Sequence, residues 1–340
     1  MKDVCEKCSY LHANSQRCRI MDAGYDLDKI IADNEDFSRQ LGLLLANIIE
    51  QYRAIDFYKL KYPRLAPYEY PIWYLWWQGA DNMPTIPRLC LNSLLRHADP
   101  RRVRFIDRHN YRRYIELPDY VLAKVGAKKL TMAQLSDIIR VALLEKYGGF
   151  WMDSTILLTD DLANHPELFA GFYTRKCQRD KSRDPKYAWC ISFYRWSGFF
   201  MGSNIRRNPL FSFVKDAFLA YWHDYDYVAD YLMIDYLINL AYENIPFVRE
   251  EIDSVPINNP CMTLLGELNS GNLEVPFNEN AWLELTQDTF FHKLNWKDNI
   301  DFDKPGTFYQ FLRERYGLYE PGQNAGKEYI GKRNTKNLGI

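Results

Sequence analysis

Residues 131–155, "TMAQLSDIIRVALLEKYGGFWMDST", decide how this chain folds. The first part is helical by pattern. Thr131 and Gln134 have capping-box spacing, with a hydroxyl for one orphan amide and a glutamine reaching back. Leu135, Ile138, Ala142 and Leu143 then form an apolar stripe. Gly148 ends the helix, because glycine takes the left-handed conformation that closes a helix C-terminus. The chain continues as "FWMDSTILLT" (150–159), an apolar run that reads as one buried strand. Asp153 lies within it, at a position where an acid needs an explanation.

Working outward, the neighbouring segments fit the same scheme. "IWYLWW" (72–77) is a short β-prone run stopped by "QGADNMP", and "VRFID" (103–107) is a second strand. Between them "IPRLCLNSLLRH" (86–97) reads as a helix with proline in its first turn. Further helical stretches lie near "YRRYIEL" and "YVLAKV". Strand and helix therefore alternate from 72 to 159, which predicts an α/β fold with a mostly parallel central sheet. Ligands of such sheets bind at the carboxyl ends of the strands. Gln78, Gly79, Asp107 and Asp153 lie at or near those ends.

Residues 27–60 read as proline-free helix, and Pro63, Pro67 and Pro71 punctuate the loop that follows. Two more helices are expected in "PLFSFVKDAFLAYWHDY" and "DYVADYLMIDYLINLAYEN", and "DTFFHKLNWK" (288–297) stands apart. The last twenty residues are polar and glycine-containing, the composition of a mobile tail. The expected organisation is an N-terminal helical extension (1–65), a catalytic domain (66–300) and a partly disordered C-terminal tail (301–340).

Composition narrows the function classes. With 47% hydrophobic and 26% charged residues the chain is of globular type, and its net charge of −1 gives no general attraction to nucleic acid. No run approaches the ~20 apolar residues of a membrane span, and "MKDVCEKCSY" has no apolar signal core. A cytoplasmic protein is expected. Seven scattered cysteines argue for reduced thiols. Cys5, Cys8, His12 and Cys18 form a loose set with zinc-type ligands, against the alternative of a free-thiol segment. Eight arginines between 88 and 113 form either a solvated basic face or a contact for an anionic membrane surface.

Several polar residues then acquire chemical meaning. Asp153 and Thr155, two apart on a strand, would point the same way as hard oxygen ligands for Mg²⁺ or Mn²⁺. The alternative is a strand-end acid in solvent. Asp137 and Arg140 are neighbours one helical turn apart, facing a polar cleft or forming a surface ion pair. His292 and Lys293 carry groups suited to a metal or a diphosphate. Asp235 interrupts the apolar "YLMIDYLINL" and is either structurally paired or turned to a site.

"SDIIRVALLEKYGGFWMDST" resembles the signature of sugar transferases with the DXD motif: a Ser-Asp-x-x-Arg helix, Tyr-Gly-Gly, an aromatic and an Asp-x-Asp. It is most similar to the capsular polysaccharide synthesis family, whose members resemble "IWYLWWQGADNMPTIPRLCLNSL" and carry Asp-x-Thr. The likeness is strong over residues 70–160. It implies a single Rossmann-like domain of glycosyltransferase A type, a nucleotide-sugar donor, a glycan or lipid-linked acceptor and a divalent metal. By this resemblance Asp153 is the first metal-binding acid. Thr155 holds the second acid's place, binding by its hydroxyl, through water or not at all. Ser136, Asp137 and Arg140 match positions that hold the donor sugar and phosphate, and Trp151 matches an aromatic beside the donor. Trp77, Gln78 and Gly79, with Asp107 and Asn110, match the nucleotide end. His292 matches a late metal or diphosphate ligand, and Asp235 is left for acceptor contact.

The resulting expectation is a metal-dependent, retaining, hexosyl-type transferase of surface polysaccharide synthesis. A non-catalytic nucleotide-sugar-binding protein is the alternative. A nucleotidyltransferase is disfavoured because no glycine-rich phosphate loop followed by lysine is present.

Overall fold

The computed structural model describes residues 27–169, 171–176, 191–260, 262, 272–297 and 300–317. Its helices are α1 (Leu27–Leu44), α2 (Ala46–Arg53), α3 (Thr85–His97), α4 (Asp119–Gly126), α5 (Met132–Tyr147), α6 (Pro209–Asp224), α7 (Met233–Asn244), α8 (Pro246–Ser254), α9 (Glu279–Thr286) and α10 (Phe308–Tyr316). Its strands are β1 (Ile72–Leu75), β2 (Val103–Ile106), β3 (Gly149–Met152), β4 (Ile156–Leu158), β5 (Phe172–Thr174), β6 (Phe200–Ser203) and β7 (Phe291–Lys293).

The central sheet has the order β2-β1-β3-β6-β5. β1 runs parallel to β2 and β3, and Trp73 lies opposite both Arg104 and Trp151. β6 is antiparallel to β3 and to β5, so β5 points the same way as β1, β2 and β3. Four of the five strands thus share one direction, as the alternation of strand and helix predicts.

The strands read as continuous apolar runs because both faces are covered. Alternate side chains enter different cores. Trp73, Leu75, Ile106, Trp151 and Met201 pack with α5, α6 and α7. Ile72, Tyr74, Phe105, Phe150 and Phe200 pack on the other side with Leu91 and Leu94 of α3 and Ile156 and Leu158 of β4. A third core joins Leu157 of β4 and Leu89 of α3 to Leu285 of α9 and Leu312 of α10.

The single strand expected at 150–159 is two strands in two sheets. β3 ends at Met152, and β4 pairs antiparallel with β7, with Leu157 opposite His292. Asp153–Thr155 makes the turn between them. The amide of Asp153 donates to the Phe199 carbonyl (2.9 Å), and that of Ile156 donates to the Asp153 carbonyl (3.0 Å). Asp and Ser favour such turns because their short polar side chains compete with regular pairing. The acid is therefore not a strand residue.

At the helix–strand junction, Gly148 has φ 67° and ψ −153°. Its φ is positive as expected, but its ψ lies outside the left-handed helical region. The Gly148 carbonyl accepts from Trp73 Nε1 at 2.9 Å. Gly149 follows at φ 86°, and a Cβ there would lie 2.2 Å from the Pro71 carbonyl oxygen. The capping box is half formed. Thr131 Oγ1 accepts from the Gln134 amide (3.3 Å), but the buried Gln134 side chain turns to the Asp230 carbonyl (2.8 Å).

The helix expected over 27–60 ends at Arg53 and is interrupted at Leu45. Leu41, Leu45, Ile49 and Tyr52 enter the core of α6 and α7, and Tyr52 Oη donates to Asp216 (2.8 Å). Within the expected tail, α10 is capped by Thr307 and contributes Phe308, Tyr309 and Leu312 to the third core; residues 318–340 lie outside the described residues. Of the seven cysteines only Cys90 is described, as a buried free thiol, so the Cys5, Cys8, His12 and Cys18 set also lies outside. No described helix is long and apolar enough to cross a membrane.

Two stability outcomes are expected. Gly149→Ala collides with the Pro71 backbone at positive φ, so it lowers stability by at least about 2 kcal/mol, read from denaturant midpoints. Glu251 accepts both its hydrogen bonds from Asn208 Nδ2, at 3.1 and 2.9 Å, and burial pushes its carboxyl up to about 7. The native state thus keeps a proton that the unfolded chain releases near pH 4.3, so this residue's contribution falls as pH rises from about 4.3 to 7. In Glu251→Gln the loss of stability between pH 4.5 and pH 8 should be smaller by on the order of 3 kcal/mol. An unchanged pH slope would contradict this.

Candidate active site

Three elements deliver charge to one cleft beyond the carboxyl end of β3. The helix α5 brings Asp137 and Arg140, both buried at 7% and 6% exposure. The turn after β3 brings Asp153, and β7 brings Lys293. Arg140 Nη2 lies 3.2 Å from Asp137 Oδ1 and 3.0 Å from Asp153 Oδ1. Its guanidinium sits over the Trp151 ring, 5.0 Å from the centroid. Trp151 Nε1 donates to the same Asp153 Oδ1 at 2.8 Å. Lys293 Nζ meets Asp153 Oδ2 at 2.9 Å and Thr155 Oγ1 at 2.5 Å. Gly198 leaves room for the guanidinium, since a Cβ there would come within 2.9 Å of Arg140 Nη1.

The cleft has a volume of about 360 Å³ and is lined by Ser136, Asp137, Arg140, Trp151, Asp153, Asp235 and Lys293, together with Leu75, Phe199, Tyr231 and Ile234. Its three carboxyls differ in how readily they hold a proton. For Asp153, burial acts to raise the pKa, but Lys293, Arg140 and the Trp151 hydrogen bond prevail and hold it below the usual carboxylate range. Asp153 is thus an anion at neutral pH. Burial pushes Asp137 up to about 7 in spite of Arg140, with Asp153 and Asp235 adding like charge. Burial likewise raises Asp235 to about 6, opposed by the hydrogen bond from Trp196 Nε1 at 2.9 Å.

The residues that the resemblance places at a nucleotide lie one and two strands away, at the ends of β1 and β2. Asp107 Oδ1 accepts from the amides of His109 (2.8 Å) and Asn110 (2.9 Å). Asn110 Oδ1 in turn accepts from the Asp107 amide (2.9 Å), and its Nδ2 donates to the Phe105 carbonyl (2.8 Å). Both side chains therefore shape the turn after β2. Trp77 packs on Tyr111 with ring centroids 5.3 Å apart. Gln78 precedes Gly79, whose φ of 90° makes a close turn beside Asp107, 4.0 Å from a Cβ built there. None of these five lines the Asp153 cleft.

Of the expected metal ligands, Asp153 and Thr155 converge on Lys293, and His292 does not join them. His292 is fully buried on the opposite face of β7 from Lys293, its ring 6.4 Å from that of Trp282. Thr155 faces Lys293, and Asp153 has two cations against it. No three His, Cys, Asp or Glu side chains among the described residues form a metal-binding group. Like charges 4 Å apart repel by about 4 kcal/mol at an effective dielectric near 20, and a divalent ion by about twice that. With Lys293 and Arg140 where they stand, these residues do not fit a divalent ion at Asp153.

Some site residues had no readable signal. Trp196, Gly198, Phe199 and Tyr231 come from the stretch after 160, where periodicity is weak. The arginines of 88–113 are divided in role: Arg96, Arg102 and Arg104 donate to the carbonyls of Arg315, Tyr70 and Arg101, while Arg108, Arg112 and Arg113 are exposed.

A solved structure described as "PaToxG Glycosyltransferase" is similar over 85% of this chain and 100% of that chain, at 12% identity with a TM-score of 0.36. At that level the architecture rests on the strand order itself. A search of curated proteins gives no match. The model of a family described as "Capsular polysaccharide synthesis protein" matches residues 29–312, which include nearly all of α1, α2, the whole central sheet, Lys293 and the first part of α10. The chain that carries Arg140, Asp153 and Lys293 in one cleft therefore belongs to the capsular polysaccharide synthesis protein family.

Proposed function

We propose that this chain is a glycosyltransferase that moves a hexosyl group from a nucleoside-diphosphate sugar to a glycan or lipid-linked acceptor in surface polysaccharide synthesis. The observation that carries the reading is the pairing of Arg140 and Lys293 around Asp153 at the carboxyl end of a parallel strand, in a member of a capsule-synthesis family. Such strand ends are where α/β sheets receive ligands.

The chemistry follows from charge. As the bond from the anomeric carbon to the phosphate oxygen breaks, its electron pair stays on the diphosphate. Preorganised cations in a shielded cleft stabilise that developing charge. Arg140 is held for this by Asp137, Asp153 and the Trp151 face, so it needs little reorganisation. The acceptor hydroxyl forms the new bond to the anomeric carbon, and its proton passes to the departing phosphate, consistent with retention of configuration. Ser136 and Asp137 line the sugar end, and Trp77, Gln78, Gly79, Asp107 and Asn110 take the nucleotide. Asp235 faces the acceptor side. Arg108, Arg112 and Arg113 are the part of the basic stretch left for an anionic membrane surface bearing a lipid-linked acceptor.

A screen of nucleotide sugars for slow hydrolysis tests the reading, with release of nucleoside diphosphate as the signal. Arg140→Ala should lower kcat by about 10²-fold or more. Donor binding without turnover over any acceptor panel would instead support a non-catalytic binding protein. The pH dependence carries a sign. Ionisation of Asp137 near pH 7 adds negative charge beside Arg140 and weakens its hold on the diphosphate. Donor KM should therefore rise as pH passes above about 7, and Asp137→Asn should remove that rise; a rise that persists in the variant would discount Asp137.

A further inference from the structure

We infer that Lys293 takes the place of a divalent ion in this cleft: its ammonium is the cation that meets the donor diphosphate, and the chain binds that group without metal. The inference rests on the proposed transferase reading and deepens it.

The two oxygen groups that sequence spacing offers to a metal, the Asp153 carboxylate and the Thr155 hydroxyl, are both ligands of one Lys293 ammonium, at 2.9 and 2.5 Å. The other carboxylate oxygen is taken by Arg140 and Trp151. The lysine is positioned by main chain as well as by charge. In the antiparallel ladder Ile156 lies opposite Lys293, and the Leu294 amide donates to the Thr155 carbonyl at 2.8 Å. The Lys293 amide donates to the Met262 carbonyl at 2.8 Å, and its ammonium lies over the Phe199 ring, 5.2 Å from the centroid. The side chain remains 27% exposed and lines the cleft, so a ligand reaches it.

The ligand types agree with a monovalent partner. Two carboxylates at positions 153 and 155 would call for a divalent ion, as hard oxygen sites of higher charge do. One carboxylate and one hydroxyl balance a single ammonium. Arg140, in contact with both Asp137 and Asp153, is the second cation that a diphosphate would meet in this cleft. Phosphate groups accept from both lysine and arginine, the lysine as a point charge.

The test uses the full chain and binding, not turnover. Isothermal calorimetry with inorganic pyrophosphate, UDP and GDP is run on protein stripped with EDTA and on protein supplied with Mn²⁺. Wild-type affinity for the best of these probes should agree between the two conditions within roughly twofold. Lys293→Ala should weaken that probe at least about tenfold in EDTA, with Lys293→Arg recovering part of the loss. Wild-type binding that requires Mn²⁺, or equal binding by Lys293→Ala in EDTA, overturns the inference while the transferase reading stands. Absence of binding to all probes in both conditions overturns both. The wild-type comparison needs no variant, so it holds even where a substitution impairs folding.

Discussion

The carboxylate of Asp153 is the point at which three otherwise separate elements meet. It accepts from Arg140 on α5, from Trp151 on β3 and from Lys293 on β7. Each of those donors is itself held. Arg140 is braced by Asp137 and stacked on Trp151, and Lys293 is fixed by the β4–β7 ladder. A partly buried anion with two cations is stable only if all its lone pairs are used well, since removing a partner leaves uncompensated charge. The arrangement is thus mutually dependent, and it fixes where α5 and β7 stand relative to the sheet.

The sheet makes this meeting possible. β1, β2 and β3 run parallel, so their carboxyl ends open on the same side. The chain must pass from α5 into β3 within two residues, and the positive φ values of Gly148 and Gly149 allow it. With Gly149 pressed against Pro71, β3 registers beside β1 and Trp151 comes opposite Trp73. The same register carries Asp153 just past the strand end, where its backbone leaves the sheet and its side chain turns into the cleft.

The chemical character of the cleft comes from unequal partners around like groups. Asp153 is kept ionised by its cations, whereas desolvation raises Asp137 and Asp235. Carboxyls within one cavity therefore serve different purposes at neutral pH, one as a fixed anion and two as groups that hold protons more readily. Two cations, Arg140 and Lys293, thus share this cavity with three carboxyls, and both are held against the one that stays ionised.

Much of this was legible in the order of residues. The alternating strands and helices, the α5 stripe, the glycine junction and the family resemblance at "SDIIRVALLEKYGGFWMDST" rest on local patterns, so they need no tertiary knowledge. Residue spacing and the family resemblance also singled out Asp137, Arg140, Asp153 and Lys293 as candidates, and the fold brings these four into one cleft. Local propensity misjudged the run 150–159, because a turn at Asp153–Thr155 and two buried strands have the same apolar signature as one longer strand. It also grouped His292 with Lys293, although adjacent strand residues face opposite sides and only the lysine reaches Asp153. Which cation sits on Asp153 was decided by tertiary structure alone, because residues 140 positions apart meet only when the β4–β7 ladder closes. The sequence by itself determined the layers and the strand end that would bear the acid; the long-range pairing of β7 determined that a lysine stands against it.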